Sequence, residues 1–486
     1  MIKFDIDEAG YTFKSVLREI RGLIRDGEIV LIAGSSGSGK TTLLLSITGV
    51  LVNLLNGFVR GSVNLDGLNP LDIVEYREVP RRVGVVLQDP DKQISMPTPW
   101  DELSFTLENL GYDYNEIRVR VDSMLRKIGL EKKAYSEIEN LSIGEKRRIT
   151  LASALIHDPE IIFLDEPTAS IDPWGVRDIR SFVEQYRREG KTIIIIEHKP
   201  SYFLDKIDRI VILENGKIAR ELLREEIDRE KMTRFFKVDL EEDLLTRNTE
   251  QSSREKSKRR EKKILEVRDL CVGYEKNVVL KDLNFELYEG EIVVLVGPNG
   301  SGKSTLLKTL VGWLRPLCGS IYLDGREAGR KDLIKQIFYT PQQPDYLFTT
   351  TSVEKEISLI TEESKSLETL INELFPWYQY LRRESPFRLS HGQRRSLSLL
   401  ISLSYNRRIL LLDEPTTGLD IDLYNVIKDL IFRLSKDMNK SIIISTHDYR
   451  VIRDLGERVL FVDTYKKSVY EYSPEEILRV LSEVLK

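Results

Sequence analysis

The sequence predicts two tandem α/β domains, each built on a parallel-sheet core that carries a phosphate-binding loop. Three observations lead there: a long internal repeat, short apolar runs fit for strands buried on both faces, and a glycine-rich loop after one such run in each half. The repeat fixes the architecture. From Gly10, GYTFKSVLREIRGLIRDGEIVLIAGSSGSGKTT aligns without a gap to GYEKNVVLKDLNFELYEGEIVVLVGPNGSGKST from Gly273, and later landmarks recur in the same order. One domain is therefore expected over 1–238 and a second over 264–486, joined by a linker at 239–263.

Composition agrees with that division. A chain of 486 residues exceeds one ordinary domain. With 41% hydrophobic and 31% charged residues, each half can bury a core under an ionic surface. A formal charge of −5 gives no general case for a nucleic-acid partner. The two cysteines, Cys271 and Cys318, lack CxxC spacing, so neither a metal site nor a disulfide framework is expected. The N-terminal MIKFDIDEAGYTF has no secretory core, and no apolar run approaches the ~20 residues that span a bilayer. A cytoplasmic chain follows, one that reaches a membrane only through a partner. The linker stretch TRNTEQSSREKSKRREKK reads as solvated tether, contact with nucleic acid or anionic lipid being the alternative.

In the first half the run EIVLIA leads into GSSGSGKT and then an apolar helical stretch; in the second, EIVVLV leads into GPNGSGKS. Strand, glycine loop and helix together make a phosphate cradle. Glycines let backbone amides converge on the phosphates, and the helix N-terminus adds partial positive charge. The first cradle comprises Gly34, Ser36, Gly37, Ser38, Gly39, Lys40, Thr41 and Thr42. The second comprises Gly297, Asn299, Gly300, Ser301, Gly302, Lys303, Ser304 and Thr305. Lys40 and Lys303 are expected at the β- and γ-phosphates of ATP, Thr41 and Ser304 on Mg²⁺.

Next come IIFLDEP and ILLLDEP, apolar strands that end in two acids. Asp165 and Asp413 suit the metal; Glu166 and Glu414 suit general-base or water-orienting work.

Between these landmarks lie LSIGEKRR and LSHGQRRS, where a serine opens a helix and offers a second phosphate-binding N-terminus. Here the chain resembles the ATP-binding-cassette ATPases, whose signature reads LSGGQ. Ser142, Gly144, Ser390 and Gly392 match it. Ile143 and His391 stand where the family often has Gly, and Glu145 replaces the usual Gln.

The resemblance implies further roles. Gln88 and Gln342 match the Q-loop glutamine, which contacts Mg²⁺ and senses a partner. Asp172 and Asp420 match the D-loop, and His198 and His447 the switch histidine at the γ-phosphate. Tyr11 and Tyr274 match the aromatic that stacks on adenine, with core packing as the alternative. The implied fold has P-loop cassette cores, an antiparallel β portion near each start, and helical inserts over about 98–155 and 352–403. Head-to-tail pairing would set Lys40, Gln88, Glu166 and His198 against Ser390 and Gly392. It would set Lys303, Gln342, Glu414 and His447 against Ser142 and Gly144. One monomer would thus supply both halves of the ATPase pair.

After Gln88 and Gln342, the Q-x-P-D start and the acid-rich stretch DELSFTLEN look like the ATPases of energy-coupling-factor transporters, which take up vitamins and metal ions. The resemblance implies membrane-spanning partners docked at the Q-loop grooves, and a position on the inner face of the cell membrane. In those systems the docked helix carries a central Arg. Asp89, Asp91 and Glu102 by one groove, and Asp345 and Glu356 by the other, are expected to receive it. The alternatives are an importer ATPase of another class, such as sugar, or a soluble ATPase acting on ribosomes or nucleic acid. Two cysteines cannot supply the iron–sulfur sites of the ribosome-recycling type.

Overall fold

Each half begins with a long strand that pairs on both sides. In the first half β1 (Ile2–Tyr11) lies between β2 (Lys14–Ile24) and β4 (Gly57–Leu65), all antiparallel. In the second, β10 (Lys263–Tyr274) lies between β11 (Asn277–Tyr288) and β13 (Cys318–Leu323), with the short β14 (Arg326–Glu327) beyond. Burial alternates along these strands, as one apolar face requires. The computed structural model describes residues 1–227 and 262–485, apart from 13, 35–36, 88–92, 169–171, 198–199, 276, 362–370, 372–374, 376, 405–406, 418 and 420. Two compact units form, Met1–Ala169 with Gly175–Leu240, and Glu241–Lys486 with Ser170–Trp174. Most of the expected linker lies outside the described residues.

The apolar runs form the second sheet of each unit. Strands β3 (Ile29–Ala33), β5 (Val83–Val86), β6 (Ile161–Asp165), β7 (Thr192–Glu197) and β8 (Arg209–Glu214) run parallel, and β9 (Lys217–Leu223) closes the edge antiparallel, in the order β5-β6-β7-β3-β8-β9. The second unit repeats this with β12 (Ile292–Val296), β15 (Ile337–Thr340), β16 (Ile409–Asp413), β17 (Ser441–Ser445), β18 (Arg458–Asp463) and β19 (Ser468–Tyr472), in the order β15-β16-β17-β12-β18-β19. Every residue of β3, β6 and β7 is buried, so these strands cannot alternate. Because β7 lies between β3 and β6, the loop after β3 and the acids ending β6 meet at one edge of the sheet.

The helical inserts contain helices Pro99–Asn109, Tyr114–Lys127 and Ile143–Leu155 in the first unit, and Val353–Thr361, Tyr378–Leu381 and His391–Ser404 in the second. The first insert has its own core, where Leu103, Leu107, Val121, Leu125 and Ile149 meet. No described helix is long and apolar enough to cross a membrane.

One expectation from the sequence needs correction: Cys271 and Cys318 are joined as a disulfide. They stand opposite each other in the β10–β13 ladder, with Cα atoms 4.8 Å apart. Linear spacing could not show this, because the antiparallel register brings them together. Cys318 is exposed, and the first half contains no cysteine. Reduction should therefore destabilise only the second unit, by about 2–4 kcal/mol, in denaturant melts with and without reductant.

Candidate functional site

Both glycine loops follow the central strand and end in a left-handed glycine. Gly39 has φ 105° and Gly302 φ 101°, and each leads directly into a helix, Lys40–Ile47 or Lys303–Leu310. A Cβ on Gly34 would sit 2.3 Å from the Leu213 carbonyl oxygen, so the first cradle admits no side chain there. Lys40 Nζ donates to the Gly34 carbonyl at 2.8 Å, and Lys303 Nζ to the Gly297 and Pro298 carbonyls at 2.7 and 3.0 Å. Burial pushes both ammonium groups below their usual range, chiefly opposed by Glu166 and Glu414 respectively. Ser38 Oγ and Ser301 Oγ are buried and lack partners among the described residues. Buried donors of this kind, beside a curled lysine and backbone amides, fit the oxygens of a nucleotide's phosphates.

The acid pair ends the neighbouring strand. Thr41 Oγ1 lies 3.3 Å from Asp165 Oδ2, so hydroxyl and carboxylate converge as a Mg²⁺ site requires. Burial, reinforced by the Glu166 charge, pushes Asp165 up to about 6. Asp413 is likewise raised by burial and is tied to Ser304. Both glutamates adopt left-handed backbone, φ 45° at Glu166 and 51° at Glu414, which turns the chain off the strand. Their N–H groups donate at 2.8 Å to the carbonyls of Ile196 and Ser445 on the adjacent strand, holding that turn. His447 Nδ1 lies 2.9 Å from Glu414 Oε1.

Ser142 and Ser390 cap their helices as the signature requires. Ser142 Oγ accepts the Glu145 N–H, and the Glu145 carboxylate accepts the Ser142 N–H at 3.0 Å; Gln393 does the same for Ser390 at 2.9 Å. Glu145 thus replaces Gln without losing the cap, and Lys133 Nζ offsets its charge at 2.7 Å. Gly144 is exposed and Gly392 half-buried. From the first signature helix, Arg147 donates at 2.8 Å to the Pro167 carbonyl, just after the acid pair. Tyr11 and Tyr274 are 37% and 48% exposed, so neither is buried in a core. Gln342 is exposed just after β15. Ser36, Gln88, Asp89, Asp91, His198 and Asp420 lie outside the described residues.

The expected docking acids are a second correction. Glu102 and Glu356 are only 4% and 3% exposed. Glu102 accepts the N–H groups of Ser95 and Met96 at 2.9 Å, and Glu356 those of Thr349 and Thr350. These carboxylates tie the segment after each glutamine to the insert, where a partner's Arg cannot reach them. Asp345 is held by Arg394 at 2.9 and 3.0 Å. The sequence also gave no notice of Gln93, which bridges the N–H of Leu87 and the carbonyl of Val85 at the end of β5.

A buried lysine, a hydroxyl and two acids beside a glycine cradle define a Mg²⁺-dependent nucleotide hydrolase, present here twice. The ABC transporter family profile matches residues 17–169 and 280–417, and the chain belongs to that family of ATP-binding, ATP-hydrolysing proteins. A Sulfurisphaera tokodaii protein, provisionally described as an ABC transporter ATP-binding protein, is 35% identical over 94% of both chains. A Bacillus subtilis protein, provisionally described as an HMP/thiamine import ATP-binding protein, is 30% identical over 92% of this chain and 86% of its own. A structure of ribosome-bound archaeal Pelota and ABCE1 covers 98% of this chain and 81% of that one, with TM-score 0.68 and 21% identity. At that identity the likeness is one of fold.

Bound Mg²⁺ supplies charge that offsets the phosphates. This chain's residues would hold the nucleotide and offer a carboxylate to the water. The double variant Glu166→Gln/Glu414→Gln should bind ATP with near-native affinity in equilibrium dialysis. Its steady-state phosphate release should fall by at least ~10³-fold. Glu102→Ala, which strands two part-buried N–H groups, should cost the first unit about 1–2 kcal/mol in denaturant melts.

Proposed function

We propose that this ATPase powers import of a small solute, a vitamin or a metal ion, by docking on a membrane-spanning partner at its Q-loop grooves. Lys40, Glu166 and the switch-histidine position would work opposite Ser390 and Gly392, and Lys303, Glu414 and His447 opposite Ser142 and Gly144. The observation that carries the reading is an open cavity of about 320 Å³ in the first unit, between the sheet edge and the helical insert. Tyr76, Val79, Val85, Phe105 and Leu110 line it, as does Gln93, which follows the glutamine loop in sequence. Phe105 stays 40% exposed, and Ile73 and Val74, just before Tyr76, are also exposed. Such a hole suits an apolar side chain on a partner's helix. With Glu102 satisfied internally, an apolar anchor replaces the arginine expected from the sequence.

The Bacillus subtilis relative's description as an HMP/thiamine import ATP-binding protein supports the vitamin side of this reading. The ribosome-bound Pelota–ABCE1 structure shares the fold at 21% identity and carries no argument beyond it.

Tagged chain, isolated from detergent-solubilised membranes of its own cells, should bring down membrane-spanning subunits. Phe105→Glu should abolish that recovery while the isolated chain keeps its ATPase rate. Sedimentation with ribosomes, unaffected by Phe105→Glu, would falsify the import reading.

A further inference from the structure

His447 stands between the end of β17 and helix Tyr449–Leu455, with Thr446 before it and Asp448 after it. Both neighbours are tied to the loop of the second unit's acid pair. Thr446 Oγ1 donates to Glu414 Oε2 at 3.3 Å, and Thr416 Oγ1 donates to Asp448 Oδ2 at 3.0 Å. The Asp448 N–H in turn donates to Thr446 Oγ1 at 3.0 Å, and the Asp448 carboxylate caps the helix by accepting the Arg450 N–H. His447 is thereby bracketed where its Nδ1 meets Glu414 Oε1.

Asp448 is only 8% exposed, and a carboxylate so buried needs a cation. Arg450 provides one as a fork: its Nε lies 3.0 and 3.2 Å from the two oxygens, and a terminal nitrogen lies 2.7 Å from Oδ2. The guanidinium also sits over the Tyr424 ring, 4.1 Å from its centre. Tyr424 comes from helix Ile421–Lys436, and its Oη donates at 2.9 Å to Asp454, on the helix that carries Arg450. The first unit has other residues at the matching positions. Lys199 and Ser201 stand in place of Asp448 and Arg450. Thr168, the match of Thr416, donates to the buried Glu197, which stands where the second unit has Thr446.

We propose that Asp448 and Arg450 are positioning residues that hold His447 against Glu414 in the second unit, with Tyr424 as the platform that keeps Arg450 in place. A carboxylate opposite Nδ1 makes that nitrogen the proton donor and fixes the tautomer, which leaves Nε2 to meet the nucleotide. A ring on so short a loop keeps such a bond only while the backbone on both sides of it is fixed. Thr446 fixes one side through Glu414 itself. Asp448 fixes the other through Thr416, two residues beyond Glu414, and Arg450 is what lets Asp448 stay buried as a carboxylate. The inference rests on His447 serving ATP hydrolysis and is independent of the import reading.

The test reads the His447 bond directly. An imidazole Nδ1 proton held by a buried carboxylate exchanges slowly with water and resonates far downfield in proton NMR. The full wild-type chain should show such a resonance, and His447→Gln, by removing it, assigns it. In Arg450→Gln its exchange with water should quicken by at least about tenfold. Asp448→Asn/Arg450→Gln, which removes both charges and strands neither, should give the same change in a chain that melts near the wild-type temperature. Tyr424→Phe keeps the ring under the guanidinium and should leave the exchange unchanged, whereas Tyr424→Leu should quicken it. ATPase rates should follow: Arg450→Gln falls by the same factor as His447→Gln, and the two combined fall no further. Thermal melts of every variant separate loss of fold from loss of positioning. A wild-type chain without the downfield resonance overturns the proposal. So does unchanged exchange in the neutral pair and in Tyr424→Leu, or a combined His447 variant whose losses add.

Discussion

Everything in each unit turns on burying a lysine ammonium and two carboxylates together at the end of an apolar sheet. Lys40 and Lys303 are 5% and 7% exposed, and the strands beneath them carry no polar side chain until their last residues. Isolated charges could not be buried there, since desolvation would exceed any local gain. They remain because opposite charges and loop carbonyls lie within reach, and because β7 or β17 holds the two loops side by side. The geometry that makes the site reactive is thus the geometry that makes its burial tolerable. A cradle whose buried serines lack partners among the described residues is poised for a ligand that brings its own negative oxygens.

Much of this was legible in the sequence, because the chemistry demands particular residues at particular spacings. Both cradles and both acid pairs stand where the repeat put them, each at the end of a fully buried strand. The signature serines also followed from local rules, since a serine three residues before Glu or Gln makes a capping box whatever the tertiary context. Resemblance supplied the antiparallel β portions and the inserts, which the residues alone would not have fixed.

What was illegible depended on pairing across the fold. Cys271 and Cys318 share a bond because β10 and β13 run antiparallel in that register, and no linear spacing encodes it. Glu102 and Glu356 looked like surface acids on an amphipathic helix. Each is turned inward to satisfy two backbone donors of a tight segment, a duty that depends on the path of the preceding loop. Thr446 and Glu197 were hidden differently. The repeat marks positions where the halves agree, and these two stand where the halves differ.

That distinction bears on why two cassettes share one chain. Two identical subunits placed around a symmetry axis must carry the same residue at both copies of every position. A fused pair is free of that constraint, and the structure shows where the freedom was used. At one place it joins the outer groove to the chemistry. Val50 and Val85 line the cavity of the first unit. The equivalent residues in the second are Trp313 and Tyr339, whose rings pack edge to face at 5.1 Å. Tyr339 then reaches inward to Asp413. One substitution therefore alters both the surface offered beside the groove and the restraint on the metal-side acid. A displacement of Trp313 would be felt at Asp413 through one packed ring and one hydrogen bond, whereas the side chains of Val50 and Val85 carry no polar atom that could make such a link. The second unit thus has a physical link from surface to acid pair that the same positions of the first do not provide.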